Sequence, residues 1–275
     1  MIDLKKALSV AEEAVTTAGK FLLAHQRDVV IKKHKDAVDI QTDADLKAEE
    51  ICIKTIQASF PNHNILSEEI GFIDHQSDFT WVIDPLDGTK EYIRQIPLWG
   101  TILSLETKLK TLVAACYFPP TNELYSASSN QATLFNHQPV KLSSEKKITK
   151  SFIYTHPPTS KTKKQTANFI WDKLKQISFQ AYRLRAHAND AWVLSWLSRG
   201  GLEGYWLPDG HLTEWYDISP GLLIAKQAEA KITDSYGKPV KRGDLTKGIV
   251  ITNDHIHDQL LNIINLQGQS LQVDK

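Results

Sequence analysis

An apolar run, Trp81-Val82-Ile83, passes without a spacer into Asp84-Pro85-Leu86-Asp87-Gly88-Thr89. Pro85 fixes one backbone angle and Gly88 permits a tight turn, so two carboxylates are held rigidly at the end of a strand. Two acids, a backbone carbonyl and a hydroxyl converging on one turn are hard oxygen donors, the set that Mg²⁺ prefers. An Asp-Gly pair alone reads as a solvent-exposed turn. The full hexapeptide after a hydrophobic strand is a far more specific signal.

Three further acidic sites accompany it: Asp39, Asp43 and Asp45 in VDIQTDAD, Glu68 and Glu69 in LSEEIG, and Asp217 in EWYDISPG. Each borders an expected strand or opens an expected helix, where a carboxylate can be aimed. Structural alternatives stand beside these readings. Asp45 suits the positive end of a helix dipole, Glu68 and Glu69 suit a wet loop, and Asp217 suits an N-cap before ISPGLLIAKQ. An EF-hand fails, because counting from Asp43 puts Ala48 at the sixth position and Lys54 at the twelfth. His255 and His257 read as surface histidines. No Walker A, GxGxxG or GxSxG motif occurs.

Composition narrows the classes. The 275 residues carry 32 basic and 32 acidic side chains, so no bulk positive field favours a nucleic-acid backbone. The basic cluster Lys32, Lys33 and Lys35 lacks interleaved aromatics and reads as a solvated face or the border of a phosphate site. No apolar run is long enough to span a membrane, and the N-terminus, interrupted by Glu12 and Glu13, does not read as a signal peptide. Two isolated cysteines, Cys52 and Cys116, suit a reducing cytoplasm and exclude a cysteine-ligated zinc.

Apolar residues from Leu4 to Leu22 recur at helical spacing, and DADLKAEEICIKTIQASF reads as a second helix closed by Pro61. WVIDPL, GTILSLETK, TLVAACYF, ELYSAS and ATLFN then read as a largely antiparallel sheet. The lysine-rich stretch 143–164 is the expected boundary between an N-terminal α+β half, 1–145, and a C-terminal α/β half, 146–275, packed as one unit. Beyond it the spacing predicts a helix over 166–177, a strand in FQAYRLRA, a buried helix in DAWVLSWLSRG, a strand in GLEGYWLP, a helix in ISPGLLIAKQAEA and a strand in KGIVITN.

DIQTDAD, SEE, WVIDPLDGT and WYDISPG, in this order and at these spacings, resemble the inositol monophosphatase superfamily of Mg²⁺-dependent, Li⁺-sensitive phosphatases. GGLEGYW and the strand series ILSLETK to ELYSAS add to the likeness, which covers roughly residues 30–255. The resemblance implies a layered α/β/α/β/α sandwich, often a homodimer, that hydrolyses a small phosphorylated metabolite with two or three Mg²⁺ ions. By resemblance, Glu68, Asp84 and the Leu86 carbonyl hold one metal. Asp84, Asp87 and Asp217 hold the second, and a third sits near Glu68. Asp45 and Thr89, with Glu68, would orient and deprotonate the attacking water, while Asp87 and the Gly88 and Thr89 amides would receive phosphate.

Substrate choice within the superfamily stays open at this level. DPLDGTKE followed by Tyr92 resembles the 3′(2′),5′-bisphosphate nucleotidases of the CysQ type, which puts nucleotidase chemistry first. GGLEGYW resembles the inositol-phosphate branch, and Asp190, in Ala188-Asn189-Asp190, resembles histidinol-phosphatase-like members. Lys90, Asp190, Asp209 and Glu214 are the expected substrate contacts. The alternative from another class is a catalytically silent, metal-binding regulatory subunit.

Overall fold

Leu4–His25 and Asp43–Ser59 are helices because their apolar residues repeat at 3.6-residue spacing and their starts are capped. Asp3 accepts from the Lys6 N–H at 3.0 Å, and Thr42 caps the second helix through the Ala44 N–H. A computed structural model describes residues 2–34, 40–186, 189–210 and 213–266. Asp39, Lys35 and Ala188 lie outside the described residues.

The chain gathers into two units that interleave in sequence. The first comprises Met1–Lys141, Ala188–Arg199 and Thr213–Glu229; the second comprises Leu142–His187, Gly200–Leu212 and Ala230–Lys275. In the first unit an eight-stranded sheet runs in the order Gln138–Pro139, Gln131–Phe135, Glu123–Ser128, Thr111–Phe118, Gly100–Glu106, Thr80–Asp87, Asn64–Ser67, Gly71–Ile73. All neighbours are antiparallel except Asn64–Ser67 with Thr80–Asp87. One face carries Trp81, Ile83, Leu103, Leu105, Val113 and Ala115 into a core with the helices Leu4–His25 and Asp43–Ser59. The alternate residues Ile102, Ala114 and Cys116 pack on the other face with Asp190–Ser198 and Trp215–Gln227. The period-two alternation of side chains therefore builds an α/β/α sandwich.

The second unit is a five-stranded mixed sheet, in the order Arg183–Ala186, Phe152–Thr155, Gly204–Leu207, Ile249–Thr252, Lys231–Thr233. The helices Lys164–Gln180 and His257–Asn265 cover Ile153, Trp206 and Val250. His257 is fully buried here, with Thr252 Oγ1 and Thr233 Oγ1 each 3.0 Å from a ring nitrogen. That corrects its expected surface placement: the residue opens an amphipathic helix whose apolar face turns inward. The fold is a mixed α/β sandwich, and no helix among the described residues is long and apolar enough to cross a membrane.

Candidate active site

The strand Thr80–Asp87 pairs regularly with Gly100–Glu106 as far as Asp84 opposite Ile102, and then Asp87 stands opposite Gly100. Three residues advance on one strand while two advance on the other, so the strand bulges at Pro85 and Leu86. In a regular strand, residues three apart point to opposite faces. The extra residue restores the phase. Leu86 therefore joins Trp81 and Ile83 in the core on one face, and Asp84 and Asp87 act together on the other. Pro85 has no N–H to give the ladder, and its carbonyl accepts from Thr101 Oγ1 at 2.9 Å.

Gly88 follows in the left-handed region, φ 90°, and opens the short helix Thr89–Ile93. A Cβ at Gly88 would lie 2.5 Å from Asn189 Nδ2 and 2.7 Å from the Leu98 carbonyl oxygen, so only glycine fits. Thr89 Oγ1 lies 2.9 Å from Asp45 Oδ1 and 3.1 Å from the Leu86 carbonyl. Asp45 is the third residue of its helix, and its other oxygen accepts from the Thr42 N–H at 2.8 Å and from Thr42 Oγ1. The helix-start carboxylate and the Thr89 partner are one and the same side chain.

Asp84 and Asp87 are buried, and among the described residues no hydrogen-bond partner reaches Oδ2 of Asp87. Burial raises Asp84 well above the ordinary carboxylate range, and the charges of Glu68, Asp87 and Asp217 and a hydrogen bond shared with Glu68 raise it further. Asp87 is raised by burial, then by Asp217, Asp190, Glu91 and Glu68. Asp217 is pushed up to about 8, first by burial and then by Asp190, Glu68 and Glu214, against the opposing hydrogen bond from the Glu214 N–H at 2.9 Å. Asp45 rises to about 6 through burial, offset by its Thr42 and Thr89 hydrogen bonds. Among the described residues no three His, Cys, Asp or Glu side chains already form a metal cage; their grouping shows instead in how strongly each disfavours its neighbours' ionisation. A buried carboxylate oxygen without a donor, among acids that resist ionising together, suits a divalent cation.

Asp190 belongs to this cluster: it is buried, accepts from Thr213 Oγ1 at 3.2 Å and acts on both Asp87 and Asp217. The helix bearing Asp217 starts at Trp215, one turn earlier than expected, so Asp217 is its third residue and not its cap. Glu214 is exposed at the cap, and Lys90 is exposed beside Thr89. Asp209, by contrast, lies in the second unit and accepts from Tyr236 Oη at 2.6 Å. Glu49 was not singled out from the sequence. It is buried and accepts from Ser67 Oγ and from the Glu69 and Ile70 N–H groups at 3.3 and 3.2 Å, fixing the loop that presents Glu68. Its spacing of four from Asp45 was the available signal, since such residues share a helix face.

The sequence pattern of the inositol monophosphatase family matches residues 3–269. The chain belongs to the inositol monophosphatase family. Its members are phosphatases, which places the chain among the metal-dependent phosphoric monoester hydrolases. Inositol monophosphatase 1 of Solanum lycopersicum is 26% identical over 269 residues, covering 96% of each chain. Nus factor SuhB of Vibrio cholerae is 29% identical over 233 residues, 84% of this chain and 85% of its own. The structure of the inositol monophosphatase from Anabaena (Nostoc) sp. PCC 7120 is similar at a TM-score of 0.82 and 25% identity, over 96% of each chain.

Proposed function

We propose that this member of the inositol monophosphatase family hydrolyses the phosphomonoester of a small polyol phosphate of the inositol 1-phosphate kind, with Mg²⁺ as the metal. The observation that carries the proposal is the bulge that turns Asp84 and Asp87 to one face beside Asp217 and Glu68. Glu68, Asp84, the Leu86 carbonyl, Asp87 and Asp217 are the residues that would hold two ions, with a third near Glu68. When bound, the metal supplies Lewis-acid polarisation of the phosphoryl oxygens, lowers the pKa of the attacking water and neutralises charge on the leaving oxygen.

The chain's own part is positioning and proton handling. A water donating to Thr89 Oγ1 passes its proton along the 2.9 Å hydrogen bond to Asp45 Oδ1. Asp45, at about 6, is ionised at neutral pH yet basic enough to take that proton. Glu68 orients the same water, and the Gly88 and Thr89 amides at the turn face the anionic substrate. The full set of ligand positions favours catalysis over a silent regulatory subunit.

Likeness to inositol monophosphatases over 96% of the chain supports the polyol substrate. The bisphosphate-nucleotide reading keeps one specific observation, the exposed Lys90 next to Thr89, which offers a cation to a second phosphate. Phosphate release from inositol 1-phosphate, adenosine 3′,5′-bisphosphate and histidinol phosphate at equal concentration, with Mg²⁺ and with or without Li⁺, separates the readings. Inositol 1-phosphate is expected to turn over fastest, with inhibition by Li⁺. Faster turnover of the bisphosphate would replace the polyol reading, and no release from any of the three would overturn the proposal.

A further inference from the structure

Glu106 ends the strand Gly100–Glu106 and is fully buried. A carboxylate there is costly unless its oxygens are bonded, and hydrogen bonds from Trp215, Ser104 and Thr111 reach it. Trp215 Nε1 donates to Oε1 at 3.1 Å and to Oε2 at 3.0 Å. Ser104 Oγ and Thr111 Oγ1 donate to Oε1 at 3.0 and 3.2 Å. Ser104 Oγ is in turn 3.0 Å from Ser219 Oγ. Two residues on one face of the strand thus grip residues 215 and 219, which lie one turn apart on the helix Trp215–Gln227. Asp217 sits between them.

We propose that Glu106 is a positioning residue: by clamping Trp215 it fixes the rotation and height of the first turn of this helix, and so sets Asp217 as a ligand for the divalent ion. The strand that carries the clamp is also the hydrogen-bonded neighbour of the strand that carries Asp84, with Ile102 opposite Asp84 and Ser104 opposite Val82. Cross-strand partners share a face. Asp84 and the Asp217 helix therefore take their positions from one common strand, and the clamp governs the separation of the two carboxylates. Thr133 Oγ1, donating to the Ile224 carbonyl at 2.6 Å, holds only the far end of the helix.

The inference rests on the reading of Asp217 as a metal ligand, and Asp217→Asn tests that reading separately. Trp215→Phe keeps the ring and removes the N–H; Glu106→Gln keeps the shape and removes the charge. Each is compared with the unaltered protein by calorimetric titration of Mg²⁺ without substrate, by the Mg²⁺ dependence of turnover, and by melting in a chelator. Outer-shell partners of metal ligands typically hold about 10-fold of affinity or more. Trp215→Phe is expected to weaken Mg²⁺ binding by about that factor while KM at saturating Mg²⁺ stays unchanged, and Glu106→Gln to have a smaller effect in the same direction. The double variant is expected to be no weaker than Trp215→Phe alone, because both act through the same contact of the Trp215 N–H with the Glu106 carboxylate. If Asp217→Asn leaves Mg²⁺ binding intact, the metal reading itself fails. If Asp217→Asn abolishes a site while both clamp variants lower only the melting temperature, Glu106 is a structural residue and the proposal is overturned.

Discussion

Thr89 Oγ1 lies 2.9 Å from Asp45 Oδ1, joining the residue that opens the helix after the Gly88 turn to the third residue of a helix 44 positions upstream. Asp45 is held on its other oxygen by Thr42, so its orientation is fixed before Thr89 meets it. Replacing Thr89 by Val is expected to lower kcat by about 10²- to 10⁴-fold, the usual worth of a positioned proton acceptor. Mg²⁺ affinity should stay near its original value and Thr89→Ser should restore most of the rate. Steady-state kinetics of the two variants check this.

Asp45, raised by burial to about 6, must be ionised to accept a proton. Turnover is therefore expected to rise with pH through about 6 and then level. Asp45→Asn should remove most of the activity and flatten that limb in what remains, as read from kcat against pH.

The carboxylates Asp84, Asp87 and Asp217 oppose one another in the folded chain. On the proposed ligand assignment, Asp84→Asn is expected to lower turnover by several orders of magnitude, since both ions would lose a shared ligand. The same change should leave the melting temperature in a chelator equal or higher, because a repulsive buried carboxyl is gone. Near-normal turnover would refute the ligand assignment.

Asp217 has a pKa of about 8 in the fold against an ordinary 3.8. Between those values the folded chain keeps a proton that the unfolded chain has released, so stability in a chelator falls as pH rises through that window. On the proposed reading, Mg²⁺ would take the place of the protons. Its stabilising shift in melting temperature is therefore expected to grow from pH 5 to pH 8.

His257 shows the opposite sign. Burial, with Lys231 nearby, lowers it to about 4 from 6.5, against the charges of Asp258 and Asp254. Below 6.5 the unfolded chain takes up a proton that the folded chain refuses, so this contribution is lost as pH falls from about 6.5 to about 4. His257→Gln should flatten the acid side of a denaturation series.

A chain that threads this turn needs glycine at position 88. Ala there would set a Cβ 2.7 Å from the fixed Leu98 carbonyl at a φ of 90°. Gly88→Ala is expected to cost about 1–3 kcal/mol of stability and to displace Thr89, which urea denaturation and phosphate release measure together.

Much of this was legible in the sequence because the relevant signals are local. Helical periodicity marks Leu4–His25 and Asp43–Ser59, and alternating apolar runs mark the strands from Trp81 to Phe135. Short strands such as Ile31–His34, Gly71–Ile73, Phe152–Thr155 and Lys231–Thr233 were missed, since three or four residues carry too little pattern to be distinguished from loop. Glu49 and Glu106 were missed for a different reason: each is an acid inside an element, and its burial depends on what packs over it.

By itself the sequence determined the donor chemistry: Pro85 and Gly88 force a rigid turn wherever that segment lies, and the carboxylates on either side can only offer hard oxygen. Tertiary structure alone decided the phase and the company of those acids. Asp84 and Asp87 are three apart and would face opposite ways without the bulge, which exists only against the strand Gly100–Glu106. Asp217, distant in sequence, joins them because the same strand grips its helix. Burial and proximity are properties of several elements at once, so the raised acidities that suit this face to a cation appear only when the chain is folded.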